Sequence, residues 1–227
     1  MDTGSILGPL WISFKLAAAT TVVLLAAGSF LAYLLVYRKV PARAVVESLI
    51  SLPIVLPPTV LGFYLLILMG PKGTFGRAWE GLFQSSLLFT FAGIVIASVI
   101  SSLPFAVQPL KAAFAKIDRR ILENAHVLGL SSLATFFRVV VPNSAAGFAA
   151  ASILVFLHTM GEFGVILMVG GSIPGETKVA SIAIFEAVES LRYRDAWVLS
   201  LVLALVSFSF LLVINALNKG EYDGIKG

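Results

Sequence analysis

Long apolar stretches separated by short polar connections dominate this chain, with runs of apolar positions too long for the helices of an ordinary soluble core. They extend from about Leu10 to Tyr37, Leu49 to Met69, Ser85 to Leu110, Ala145 to Val169 and Ala196 to Leu217. Crossing roughly 30 Å of hydrocarbon takes about 20 helical residues, so each run predicts a membrane span. The sustained exception lies between the third and fourth runs, where Lys111 to Pro142 is polar, basic and amphipathic. The pattern predicts an all-α integral membrane protein of about five transmembrane helices over residues 10–217, with residues 111–142 as a loop inside it.

Two short helices are expected in that loop. Asp118 can cap the first, whose leading N–H groups need an acceptor, and Gly129 can end it in the left-handed conformation that other residues adopt only at a cost. On this helix Ile121, Ala125 and Leu128 fall on one stripe, while Arg119, Arg120, Glu123 and His126 lie toward other faces. Ser131 or Ser132 can start a second helix that runs through Phe136 and Phe137 and stops near Pro142. Such a pair makes a knob for a groove in a soluble partner. An amphipathic helix resting on lipid headgroups has the same periodicity, and the period alone leaves both readings open.

With 59% hydrophobic and 12% charged residues among 227, the composition excludes a soluble domain, where about a quarter of residues are charged. A pI of about 9.5 raises the question of nucleic acid. The 16 basic residues, however, follow the connections and form no dense patch, as the positive-inside effect requires. Arg38, Lys39, Arg43, Lys111, Lys116, Arg119, Arg120, Arg138, Lys219 and Lys226 fall on one side of the predicted spans; Lys15, Lys72, Arg77, Lys178, Arg192 and Arg194 fall on the other. The larger set is expected in the cytoplasm, which puts the N-terminus outside and the C-terminus inside. The absence of cysteine excludes disulfides and thiolate metal sites. Met1 to Pro9 has neither a basic region nor a small-residue cleavage site, so the first run is read as a retained span. No internal repeat is visible.

Pro53, Pro57 and Pro58 fall within one span, and each removes a backbone donor. A break at membrane depth is tolerated where protein or a water-filled path satisfies the freed carbonyls, so these prolines mark either a pore or gate or a structural kink. Glu162 lies inside the fourth span between Gly161 and Gly164. Its charge costs at least about 2.5–3.5 kcal/mol near the bilayer centre, which predicts an interior position with a partner, His158 one turn earlier being one possibility. There is no Gly-x-x-x-x-Gly-Lys-Ser/Thr run to cradle ATP phosphates and no His-Glu-x-x-His, and no cofactor or metal site is expected. An intramembrane enzyme using Glu162 and His158 as an acid–base pair, and an ion-coupled carrier, are the rival classes. Both leave the central loop unexplained.

Glu123, Ala125, Gly129, Val139 and Pro142 follow the pattern Glu-Ala-Ala, three residues, Gly, nine residues, Ile, one residue, Leu-Pro, with Asn124, Val139 and Val141 departing from it. This loop resembles the cytoplasmic loop of binding-protein-dependent ABC import permeases, in which the helix before the glycine is the coupling helix seated in a cleft of the ATPase subunit. Further segments, Leu52 to Gly62, Met69 to Gly73, Gly161 to Gly164 and Ile173 to Lys178, are similar to the molybdate, tungstate and sulfate branch of that family, and to its molybdate permeases in particular. The likeness covers nearly the whole chain. It implies the type I importer permease fold in a bacterial or archaeal cell membrane, the inner membrane in a Gram-negative cell. It also implies a homodimer around a translocation path, two cytoplasmic ABC ATPase subunits, an extracytoplasmic oxyanion-binding protein and no catalysis by the permease itself. Molybdate is the expected substrate, with tungstate or sulfate/thiosulfate as the alternative. Glu123, Ala125, Gly129 and Pro142 are then the coupling-loop candidates, and Pro53, Pro57, Pro58, Gly161, Glu162 and Gly164 the pore or gate candidates. A bare carboxylate repels an oxyanion, so Glu162 is expected to organise the structure or a gate rather than to touch substrate.

Overall fold

The computed structural model describes residues 3–223, with side chains described at 7–125 and 127–212. Every regular element among them is helical. Three helices are long and apolar enough to cross a membrane, or up to five if each of two bent pairs crosses as one span. The side chains of His126 and Lys219, and the whole of Lys226, lie outside the described residues.

The centre of the bundle is α1 (Thr3–Tyr37), α5 (Phe91–Ala115) and α9 (Ala145–Gly161). Their contact surfaces are built from small residues, because between membrane helices close backbone approach supplies the attraction that water would otherwise drive. On α5, Ala97, Ser98, Ser101, Ser102 and Ala106 are all buried. Gly28 of α1 lies so near Ala106 that a Cβ there would fall 2.9 Å from the alanine's, and a Cβ at Gly147 of α9 would fall 2.3 Å from that of Ala113. Thr90 caps α5 by accepting from the Gly93 N–H at 3.1 Å. The helix of the third apolar run therefore begins at Phe91, not Ser85.

The second apolar run is not one helix. It divides into α2 (Arg43–Val55) and α3 (Pro58–Met69), inclined at 115°. Consecutive prolines force this, since the residue before a proline is pushed out of the helical region: Leu56 and Pro57 both have ψ of 135°. The fourth run is likewise divided, α9 stopping at Gly161 and α10 (Gly164–Gly170) restarting after Glu162 and Phe163. The segment Ser132–Asn143 meets α9 at 79°. Helix α4 (Thr74–Phe83) and helix α11 (Ala180–Glu189) fill the connections, and α12 (Tyr193–Asp223) lies on the outside with little of its span buried.

Because the α5–α9 contact leaves no room for a methyl group, Gly147→Ala should push these helices apart and destabilise the bundle by about 1–3 kcal/mol, the usual cost of overpacking. Thermal unfolding of the purified protein in detergent checks this, and adding Ala113→Gly should restore the midpoint. A wild-type midpoint for the single variant would contradict the close approach.

Candidate functional site

The loop forms both expected helices. In α6 (Arg119–Val127) the Asp118 carboxylate accepts from the Arg120 N–H at 2.9 Å, and Gly129 ends the helix with φ of +80°. The Leu130 N–H reaches back to the Ala125 carbonyl at 3.1 Å, the six-to-one bond of a Schellman turn. Nothing lies within 4 Å of a Cβ built at Gly129, so the backbone angle and not space demands glycine. Ser131 caps α7 (Ser132–Thr135), accepting from the Ala134 N–H at 3.3 Å. The second helix ends near Pro142 as expected, but it is not a continuous α-helix. It widens into a π turn, Phe136–Val140, and continues as α8 (Val141–Asn143).

The amphipathic stripe is divided differently from the expectation. Ala125 is buried and Leu122 packs with Phe136 and Phe114 inside the bundle, whereas Ile121 and Leu128 are exposed, Leu128 by 80%. Leu128 lies just beyond the end of α6, where its N–H still bonds the Asn124 carbonyl. Ile121, Val127 and Leu128 thus present apolar side chains outward beside exposed Glu123, with exposed Leu133 and Phe137 on the next helix. Of the loop candidates, Glu123, Gly129 and Pro142 are exposed and Ala125 faces inward.

The pore or gate candidates come partly together. A Cβ at Gly164 would lie 3.0 Å from that of Pro58, so the break between α2 and α3 abuts the break between α9 and α10. Gly62 extends this contact, packing on Met168 of α10. Pro57 and Pro58 are exposed at their break, Pro53 is half-buried within α2, and Gly161 is exposed.

Glu162 is 7% exposed, in the interior as expected. Its main-chain carbonyl accepts from the Ser181 hydroxyl at 2.6 Å. Its side-chain neighbours are serine hydroxyls and not a cation. Ser101 and Ser98 interact with the carboxyl, yet Oε2 closes no hydrogen bond, and no ion pair among the described residues includes Glu162. His158 does not serve as the partner. Its Nδ1 lies 3.0 Å from the Ser102 hydroxyl and its ring stacks on Phe105 at 4.2 Å, so the acid–base pair of the enzyme reading is not assembled. The serines are the site residues that residue-by-residue reading overlooked. Their signal was Ser98, Ser101 and Ser102 at helical spacing on one face of an otherwise apolar helix.

The segment Ile173 to Lys178 folds into a compact turn, with the N–H groups of Glu176, Thr177 and Lys178 all directed at the Ile173 carbonyl. Beside it Glu186 bonds Lys178 and Ser172. Partial burial pushes the Glu186 carboxyl up, but the bonds from Lys178 and Ser172 outweigh it and hold the group below the usual carboxylate range.

Residues 24–220 match the family described as binding-protein-dependent transport system inner membrane component. The chain is 47% identical, over 203 residues, to the molybdenum transport system permease protein ModB of Azotobacter vinelandii, covering 89% of this chain and 88% of that protein. It is 31% identical to the sulfate transport system permease protein CysT of a Synechocystis species, over 92% of this chain and 72% of the relative. Its fold is similar to that of a bacterial ABC transporter involved in the import of the acidic polysaccharide alginate, with a TM-score of 0.76 at 16% identity, over 95% of this chain and 79% of that one.

Since no cation depends on Glu162, its replacement by a residue of similar volume should be tolerated structurally at a modest cost. Glu162→Leu is expected to cost about 1–3 kcal/mol of unfolding free energy, because the buried Ser98 hydroxyl loses the carboxyl beside it while Ser101 retains its bond to the Ser98 carbonyl. A larger loss in detergent unfolding would reveal a charged partner that the carboxyl satisfies.

Proposed function

This chain belongs to the binding-protein-dependent transport system inner membrane component family, and from that membership we propose that it is the membrane-spanning permease subunit of an ATP-driven molybdate importer. It resides in the inner membrane as a multi-pass protein. The observation that carries the substrate is the 47% identity to a molybdenum permease along nearly the full length of both chains. Sulfate is the second reading, favoured by the 31% identity to a sulfate permease. Both are tetrahedral dianions, and the binding protein that delivers them is the better candidate for the selective step.

In this reading residues 10–217 form one membrane domain, with residues 111–142 as its cytoplasmic coupling loop. Two copies enclose the path, since a single bundle has little interior in which to shield a dianion from hydrocarbon. Two ATPase subunits seat the α6 knobs, with exposed Ile121, Val127 and Leu128 giving the apolar contact and Glu123 a polar one. Leu122 and Phe136 join the loop to Phe114 of α5, so a push on α6 is delivered to the helix that carries Ser98, Ser101 and Ser102. The abutting breaks at Pro58 and Gly164 are where the bundle can flex between outward and inward states. The permease has no ATP site of its own in this account and makes no covalent change in its substrate.

Vesicles holding the permease with its ATPase subunit and binding protein should take up molybdate on ATP addition and should prefer it to sulfate. In the same vesicles Gly129→Val should strain the left-handed turn by roughly 1–2 kcal/mol and leave ATP hydrolysis running with little uptake. Preferred uptake of sulfate would transfer the assignment to the second reading, and normal uptake by the variant would remove the turn from the coupling mechanism.

The orientation is tested with single cysteines, in a chain that has none of its own. Cysteines replacing His126 and Thr74 should react with an impermeant reagent from opposite faces of the membrane, His126→Cys from the cytoplasm. Labelling of both from one face would reject the proposed topology.

A further inference from the structure

Two cavities meet at the Tyr37 end of α1. The first, of about 720 Å³, is basic, lined by Arg38, Arg43, Lys111 and Arg119. Glu47 lies 2.9 Å from both Arg43 Nε and Lys111 Nζ, and Glu123 is the acid on the cavity wall itself. Arg38 and Arg119 enter no ion pair among the described residues, so positive charge remains in excess. Thr135 lines the same cavity with a hydroxyl that is buried and has no hydrogen-bond partner. The second cavity, of about 590 Å³, is apolar, lined by Leu25, Ala26, Phe30, Phe136, Phe137 and Phe148 among others. Tyr33 and Ser132 line both, so the two lie side by side.

A basic pocket beside an apolar groove along a membrane helix suits one class of molecule. Its charge calls for a phosphate, its unpaired Thr135 hydroxyl can donate to a phosphate oxygen, and its groove calls for a hydrocarbon chain. The groove follows α1 from Leu25 to Tyr33, a rise of about 12 Å, which is deep enough for a substantial part of an acyl chain. A free oxyanion would leave the groove unused. We propose that the two cavities form a single site for an anionic phospholipid, its phosphate held by Arg38, Arg119 and Thr135 and one acyl chain lying along α1 against Phe30 and Phe137. The lipid would bridge α1 to the loop helices α6 and α7, fastening the loop at the level of the headgroups. Anionic lipid of the cytoplasmic leaflet is the natural source, because basic pockets at that surface attract it. The choice of leaflet rests on the orientation proposed for the chain. Retention of the lipid by the purified complex does not, so a reversed topology would change the leaflet and leave the binding intact.

The test uses the assembled permease–ATPase complex, purified in detergent, offered equal phosphatidylglycerol and phosphatidylethanolamine, and weighed by native mass spectrometry. Wild type should retain phosphatidylglycerol preferentially. The double variant Arg38→Gln, Arg119→Gln should lose that preference by about twenty-five-fold, at roughly fivefold for each basic residue near an anionic group. Ala26→Trp, which fills the groove from an exposed position and changes no charge, should lose it too, whereas Arg38→Lys should keep most of it. Both loss variants are judged only as complexes that still contain the ATPase subunit. Equal retention of the two lipids by wild type overturns the proposal. So does a preference that survives either loss variant, because the site then lacks its charge recognition or its groove.

Discussion

Hydrocarbon offers no partner to a backbone carbonyl or N–H group, and several helix ends of this chain fall where another part of the chain supplies one. The Glu162 carbonyl between α9 and α10 takes the Ser181 hydroxyl, and the Gly170 carbonyl at the end of α10 takes that of Thr177. The Phe89 N–H before α5 bonds the Val169 carbonyl. At the base of the bundle the Phe114 carbonyl receives the Tyr37 hydroxyl at 2.8 Å. These bonds tie successive elements together and keep the backbone groups at these helix ends paired. The prolines and glycines supply the break, and the polar side chains make it tolerable in lipid.

Close packing between the loop and the bundle explains how a surface segment can act on buried helices. Phe136 meets Tyr33 edge-on at 5.6 Å and Phe114 at 6.2 Å, while Phe148 lies 6.0 Å from Phe114. This aromatic cluster is shared by α1, α5, α9 and the loop. Close-packed interiors transmit displacement because they do not compress. Within the π turn Phe136–Val140, Phe136 and Val140 pack inward and Phe137 is exposed. The loop is therefore joined to the bundle on one side and open to a partner on the other.

Much of this was legible in the order of residues. The apolar runs announced membrane helices, because the thickness of the bilayer sets a length that few soluble helices need. Asp118, Gly129 and the pair Ser131 and Ser132 announced the ends of the loop helices, because a cap or a left-handed turn is a local requirement that few residue types meet; the structure selects Ser131. Pro57 and Pro58 announced a break for the same reason. Less legible was which side of α6 would be covered: Ile121, Leu122, Ala125 and Leu128 are all apolar, and only the position of Phe114 and Phe136 selected Leu122 and Ala125 for burial.

Sequence alone determined the class, the helical composition, the loop and its two caps, since each comes from bilayer thickness or from the backbone demands of single residues. Tertiary structure alone decided that Pro58 meets Gly164, that His158 bonds Ser102 and not Glu162, and that Arg38, Arg43, Lys111 and Arg119 line one cavity. Apart from the near neighbours Arg38 and Arg43, and Lys111 and Arg119, those residues are far apart along the chain, and their meeting depends on how closely the helices approach. That distance is set by the sum of many small contacts, among them Gly28 on Ala106 and Gly147 on Ala113, and no local pattern contains it.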